Sequence, residues 1–145
     1  MGINSIFDIA GSGMTAQSVR LNTTASNLAN ADTASSSIDQ TYRARKPIFA
    51  AVHQDALNAA IPPSVHDDAS RGVEVRAIVE SDASLERRYQ PDHPMADADG
   101  YVFYPNVNVV EEMADMMSAS RSFQTNVEVL NSAKTMMQRL LTIGQ

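Results

Sequence analysis

Apolar side chains recur every seven positions near the start of the chain. Phe7, Met14, Leu21 and Leu28 keep that interval without a break, and Ile3, Ala10, Gln17 and Thr24 fall at a second position of the same repeat. The spacing predicts a helix with a single seam, as in helices that wind around one another. Gly11 and Gly13 each cost about 1 kcal/mol relative to Ala inside a helix. Thr23, Thr24, Ser26 and the Asn residues are mediocre helix formers because their side chains compete for backbone groups. A helix of this composition needs a partner surface to persist.

The end of the chain carries the same repeat more strongly. Val109, Met116, Phe123, Leu130 and Met137 are spaced by seven, and Met113, Ser120, Val127, Lys134 and Leu141 form the second seam position. Pro105 closes the extended stretch before it. Asn108 is placed to cap this helix, with Glu111 three residues on as in a capping box. Glu111, Glu112 and Asp115 lie near the positive end of the helix dipole, and Lys134 and Arg139 toward its negative end. Gly144 suits a helix stop. Met117 and Met136 sit beside the seam and widen its apolar face. A Met-rich face serves either as helix core or as an adaptable surface for a partner, and the repeat is compatible with a seam inside one chain or between subunits.

Between the two helices the period changes. Residues 41–52 hold Tyr, Ile, Phe and Val, with Pro47 marking an edge or bulge position. Residues 72–80 alternate Val73, Val75, Ala77 and Val79 against Glu74, Arg76 and Glu80. Residues 85–90 and 100–104 add short extended runs, and all four are strand candidates. Residues 53–71 read as a loop with a short helical turn around 56–60, and residues 90–100 as a turn-rich connection. The expected fold class is α+β: long N- and C-terminal helices in a coiled-coil-like pair, with a small β-rich central domain. The expected divisions are 1–33 for the first helix, 34–106 for the central domain with its loops, and 107–145 for the second helix.

Charge sharpens this division. Residues 1–31 carry only Asp8 and Arg20, and residues 129–145 only Lys134 and Arg139, so the 145-residue chain has two weakly charged ends around a polar centre. The net charge of -6 argues against a binder of phosphate backbones. Cysteine is absent, which excludes disulfide and thiolate chemistry. The first residues carry no Lys or Arg and no long apolar run follows, so no cleaved signal peptide is expected. No stretch approaches the roughly 18 apolar residues of a membrane span.

Candidate chemistry is sparse. His93, Asp97 and Asp99 lie close together before Gly100, and Asp97-Ala98-Asp99-Gly100 faintly resembles a calcium loop. The further acidic positions and closing Glu that would complete a coordination shell are missing. A solvated turn explains the segment better. His53 and His66 stand in loops without a spaced partner. No nucleophile elbow, phosphate loop, dinucleotide fingerprint or zinc-helix motif occurs. No catalytic residue, metal ligand or cofactor is therefore expected.

Two segments carry a resemblance. Residues 25–33, with the Asn27-Leu28-Ala29-Asn30 unit and Thr33, resemble the N-terminal signature of flagellar rod and hook proteins. Residues 107–145 resemble the matching C-terminal module through Asn108, Val110, Glu112, Met113, Ser120, Arg121, Phe123, Gln124 and Asn126. The middle is similar to the proximal-rod branch of that family: Tyr42-Arg43-Ala44-Arg45, then Tyr89-Gln90-Pro91-Asp92-His93-Pro94, Gly100-Tyr101-Val102 and Pro105-Asn106-Val107-Asn108. Many rod and hook relatives place Pro-Gly-Tyr directly after the Thr, whereas Ala34-Ser35-Ser36-Ser37 intervenes here.

The resemblance implies a non-enzymatic, self-assembling subunit of the bacterial flagellar basal-body rod that transmits torque. Its paired terminal helices would line an inner tube wall with the small domain outside. It implies signal-peptide-independent export through the flagellar type III apparatus to the periplasmic rod. The implied partners are rod proteins of the FlgB, FlgF and FlgG types and the rod-to-ring junction protein, with no nucleic acid and no membrane insertion. The residues expected to form the helix seam or assembly surface are Phe7, Met14, Leu21, Leu28, Met113, Met116, Phe123, Val127, Leu130 and Met137. Asn27 and Asn30 are expected to punctuate the end of the first helix. Glu112, Arg121 and Gln124 fit either subunit contacts or a solvated face. The repeats alone also fit a cytoplasmic coiled-coil adaptor, which would not need both terminal signatures, and a divalent-ion titration separates off a metal-enzyme reading.

Overall fold

A computed structural model describes residues 3–52 and 72–143. Helix α1 spans Ile3–Ala29 and helix α2 spans Val109–Ile143. Four strands lie between them: β1 at Arg45–Ala51, β2 at Val73–Glu80, β3 at Glu86–Tyr89 and β4 at Tyr101–Tyr104. They form two antiparallel two-stranded sheets, β1 with β2 and β3 with β4. The α+β class expected from the sequence is what the chain adopts. A 3-10 turn at Ile38–Gln40 joins α1 to the sheets. The turn expected around 56–60, His53, His66 and the Gly144 stop lie outside the described residues.

The two helices pack antiparallel. Gly13 meets Asn126, and Arg20 reaches Asp115 farther along, so α1 runs up as α2 runs down. The α2 face turned to α1 follows Glu112, Met116, Ala119, Phe123, Asn126, Leu130, Ala133 and Met137, all buried or half-buried. That is a seam of alternating three and four residues, as in a wound pair. Its fully enclosed members are small or polar. Ala10 and Ala16 on α1 and Ala119 and Ala133 on α2 are buried, with Thr24 and Asn27. A Cβ on Gly13 would lie 2.9 Å from Asn126 Nδ2, so the helices approach through small residues. Gln17 Oε1 is buried there without a protein donor. Such polar layers restrict register at a cost in stability.

Helix α1 packs on α2 along one side and on the β1–β2 hairpin along the other. Val73 donates its N–H to Ser12 Oγ at 3.1 Å, and Ser12 Oγ donates to Ile9 O at 2.8 Å. Gly72, with φ +140, lets the chain cross α1 closely, since a Cβ there would collide with Ser12 Oγ. The strict alternation expected along β2 is interrupted. Ile48 pairs with Ala77 but Phe49 pairs with Val75, leaving Arg76 as a bulge. Val73 and Val75 are half-buried, whereas Ala77 and Val79 are exposed. Beyond the bulge Ile78 and Glu80 line the α1 side of the sheet instead. Pro47 lies one residue before this irregularity, on a strand that is an edge in any case.

The β3–β4 pair encloses Val102, which is fully buried. Ser35 and Phe103 exchange backbone bonds of 2.9 and 3.0 Å, so the residues inserted after the Asn-rich signature anchor the pair to the end of α1. Arg87 stacks on the Tyr101 ring at 3.6 Å and Arg88 over Tyr104 at 4.8 Å. Gly100 closes the 90–100 connection at φ +80, and a Cβ there would lie 2.9 Å from Tyr89 Cε2. Gly100→Ala meets both a left-handed backbone and a ring edge, and is expected to cost about 2 kcal/mol. Thermal unfolding followed by circular dichroism should show a midpoint lowered by several degrees.

Candidate functional site

Two asparagines join the helical pair to the outer sheet. Asn27, in the last turns of α1, is 1% exposed. Its Nδ2 donates to Arg45 O at 2.8 Å, and its Oδ1 accepts from Arg45 N at 2.9 Å and from Tyr42 Oη at 2.9 Å. The side-chain amide thus pairs with a backbone residue as a neighbouring strand would. Asn106, between β4 and α2, holds the N–H of the residue before Arg45 and bridges it to the segment after β2. Its Oδ1 accepts from Ala44 N at 2.8 Å, and its Nδ2 donates to Ala83 O at 2.9 Å and Ser81 O at 3.3 Å. Ser81 N in turn donates to Ala44 O at 2.7 Å. The backbone N–H and C=O groups of Ala44 and Arg45 are therefore all held.

Asn30 behaves as expected at a helix end. Its Nδ2 donates to Ser26 O at 2.8 Å, and Thr33 Oγ1 donates to Asn30 O at 2.7 Å. Leu28 is half-buried and Ala29 exposed. Asn27 was expected in the same local role, but its partners Tyr42 and Arg45 lie 15 and 18 residues away. Asn106 was read only as part of a resemblance. A Pro-Asn step after an extended run is the one local signal of it, and that signal is weak.

Ion pairs bind α2 to the rest. Arg20 donates to Asp115 Oδ1 at 2.6 Å, with both side chains about two-thirds covered. Lys46 Nζ lies 2.9 Å from Glu111 Oε1. That hydrogen bond raises the Lys46 pKa; partial burial opposes it, and the charges of Glu111, Glu112 and Asp115 add to it. Arg45 pairs with Glu80 at 3.1 Å on an exposed surface. Pairs this exposed contribute about 1 kcal/mol or less. Asn108 caps α2 as expected, accepting from Val110 N at 3.1 Å. Glu111 is turned to Lys46 rather than back to the cap. Glu112 is buried at the start of the seam.

The residues expected to form an assembly surface divide into two sets. Phe7, Met14, Leu21 and Leu28 on α1 are half-buried, as are Met116, Phe123, Val127, Leu130 and Met137 on α2. Met113 is 48% exposed. Ser120 is half-buried, while Lys134 and Leu141 are exposed. The second seam position against α1 thus lies one residue earlier than the repeat of large residues indicated, at Glu112, Ala119, Asn126 and Ala133. Val110, Met113, Met117, Val129, Met136, Leu140 and Leu141 form an outer apolar surface on α2.

The His93 segment is occupied by its own backbone. His93 Nδ1 accepts from Met95 N at 3.1 Å, and Asp97 Oδ1 accepts from Asp99 N and Tyr101 N at 2.9 and 2.8 Å. This is the bonding of a turn. An open groove of about 540 Å³ runs between α1 and the hairpin, lined by Val19, Asn22, Thr23, Ser26, Arg45, Ile78 and Glu80. It holds one ion pair and no nucleophile–base pair. Among the described residues no helix is long and apolar enough to cross a membrane.

Comparison with known proteins agrees with the two terminal modules. The family described as "Flagella basal body rod protein" matches residues 7–34. The family described as "Flagellar basal body rod FlgEFG protein C-terminal" matches residues 98–143. The flagellar basal-body rod protein FlgC of Escherichia coli is 52% identical over 145 residues, covering all of both chains. FlgC of Salmonella typhimurium is 49% identical, again over all of both chains. FlgC of Borreliella burgdorferi is 37% identical over 151 residues, covering all of this chain and 99% of that one. A helical pair whose enclosed positions are small or polar and whose large apolar residues stay half-covered or exposed suits a packed structural element, and with these matches the chain belongs to the FlgC family of flagellar basal-body rod proteins, structural subunits of the rod.

Proposed function

We propose that the chain assembles into the proximal rod through its paired terminal helices, passes torque by packing alone, and performs no turnover. One observation carries this reading: the enclosed seam positions are Ala, Thr, Asn and Glu, while the Met, Leu, Phe and Val side chains of both helices are half-covered or exposed. A monomer that ended there would leave much apolar surface in water at about 25 cal/mol per Å². Neighbouring subunits cover it in a tube wall. Residues 1–33 and 107–145 then form the inner wall, and residues 34–106 the outer domain held on by Asn27 and Asn106.

In this reading the partners are rod proteins of the FlgB, FlgF and FlgG types and the rod-to-ring junction protein. The chain reaches the periplasmic rod through the flagellar type III export apparatus. Basal bodies purified from cells carrying a tagged copy are expected to retain the chain in the rod, and cells lacking it are expected to be non-motile. A chain confined to the cytosol, in cells that swim without it, would overturn the proposal.

A further inference from the structure

Met113, Met116, Met117, Met136 and Met137 lie on α2, five of the eight methionines in the chain. They divide by placement. Met116 and Met137 are half-buried in the face turned to α1, and Met14 on α1 is half-buried as well. Met113, Met117 and Met136 stand off that face and are 48%, 57% and 58% exposed. Met117 follows Met116 and Met136 precedes Met137, so within each adjacent pair one side chain is open to solvent and the other partly covered. The fold, rather than local sequence, decides which sulfur meets water.

A thioether in contact with water is open to two-electron oxidants. Its sulfur attacks one oxygen of hydrogen peroxide: an S–O bond forms, the O–O bond breaks, and the proton on the transferred oxygen passes to the departing hydroxide. The products are a sulfoxide and water, the thioether having lost the two electrons that the peroxide gains. No cysteine in the chain competes for the oxidant. The product exchanges a soft apolar group for a strong dipole whose oxygen needs a hydrogen-bond donor. On an exposed side chain water is that donor, and the single chain keeps its fold. Under an apolar neighbour the donor is withdrawn.

We propose that Met113, Met117 and Met136 form a modification site for peroxides: they become sulfoxides while the chain is free, and the oxidised chain folds but does not enter the rod. Met113 and Met117 stand one turn apart beside exposed Val110, and Met136 stands one turn before exposed Leu140. Each sulfoxide therefore sets its oxygen within an apolar patch. Methionine sulfoxide reductases reverse the change, so the three sulfurs act as a switch on assembly that leaves folding alone. The order of oxidation stands on exposure, and its consequence for assembly rests on the rod-subunit reading.

The full chain in dilute solution is treated with limiting hydrogen peroxide, and the sulfoxide at each methionine is followed by peptide mass spectrometry. Met113, Met117 and Met136 are expected to oxidise several-fold faster than Met14, Met116 and Met137, with helicity by circular dichroism unchanged. Equal rates within the Met116–Met117 and Met136–Met137 pairs would overturn the site. Loss of helicity on oxidation would overturn the claim that folding is left alone. In cells lacking the native chain, an M113Q/M117Q/M136Q copy carries a polar amide in place of each sulfoxide. It should be exported normally and fall several-fold in purified basal bodies, whereas M95Q, on the exposed Met95 of the 90–100 connection, should enter as wild type does. A second measurement needs no variant: after a peroxide pulse during rod growth, wild-type chain in basal bodies should carry several-fold less sulfoxide at the three positions than unassembled chain. Normal incorporation of the triple variant, or equal sulfoxide in the two pools, would overturn the proposal while leaving the rod-subunit reading in place. Absence of the wild-type chain from basal bodies would instead be the failure of that reading.

Discussion

Phe123→Asp and Leu130→Asp are each expected to give cells that export the chain but build no rod and do not swim. Both side chains stand in the α1-facing seam of α2 and are half-buried in the single chain. There the carboxylate keeps part of its hydration and the monomer tolerates it in part. When neighbours close over the helices, that hydration is lost. Removing an unpaired charge from water costs several kcal/mol even after relaxation, enough to lower association by about a thousandfold. The N-terminal segment is unchanged, so passage out of the cytoplasm should survive. The measurements are immunoblots of exported protein, electron microscopy of basal bodies, and swimming in soft agar. Ser84→Asp, in an exposed loop, serves as the control and should behave as wild type. Normal rods from both seam variants would show that this face is not an assembly surface.

Asn27→Ala is expected to be the most destabilising single change in the outer part of the molecule. It removes both bonds to Arg45 and the bond from Tyr42 at once. Each group left without a partner in a covered site costs about 1 kcal/mol or more, so the total is about 3 kcal/mol. For a chain of this length that lowers the thermal midpoint by about 10 °C. Asn27→Asp discriminates the mechanism. It keeps the acceptor for Arg45 N–H and Tyr42 but replaces the donor with a carboxylate oxygen facing Arg45 C=O. It should therefore be nearly as unstable as the Ala variant, despite its similar shape. A midpoint for Asn27→Asp within two or three degrees of wild type (about 1 kcal/mol) would mean that the amide donor is not what holds the hairpin.

The helices and strands were legible because each rests on a periodic pattern, seven in the terminal segments and two in the centre. Asn108 was legible as a cap because its bonds are local. The second seam position was displaced by one residue, for a physical reason. A repeat is read from large apolar residues, which favoured Met113, Val127 and Leu141. The helices instead touch through Ala119, Asn126 and Ala133, because Ala and Gly permit an approach that large residues block. Met113 and Leu141 are then left exposed, where neighbours can use them. The β2 alternation failed at Arg76 because a bulge has no marker in side-chain identity there. The Asn27 and Asn106 bonds were illegible for a third reason: their partners are distant in sequence, and an amide that pairs with a strand has the same letter as one that ends a helix.

The antiparallel pairing of α1 with α2 also sets an order of events in time. Arg20 and Asp115 meet although they stand 95 positions apart in the chain, and β1 and β2 likewise follow α1. A chain that emerges from its N-terminus presents α1 first, with nothing yet available to cover it. Such long-range closure is slow, and it waits until most of α2 has appeared. The surface offered to neighbours is therefore completed by the last residues to arrive. A chain cut short before the Phe123 turn would deliver an unpaired α1 and lack most of the face on which assembly depends.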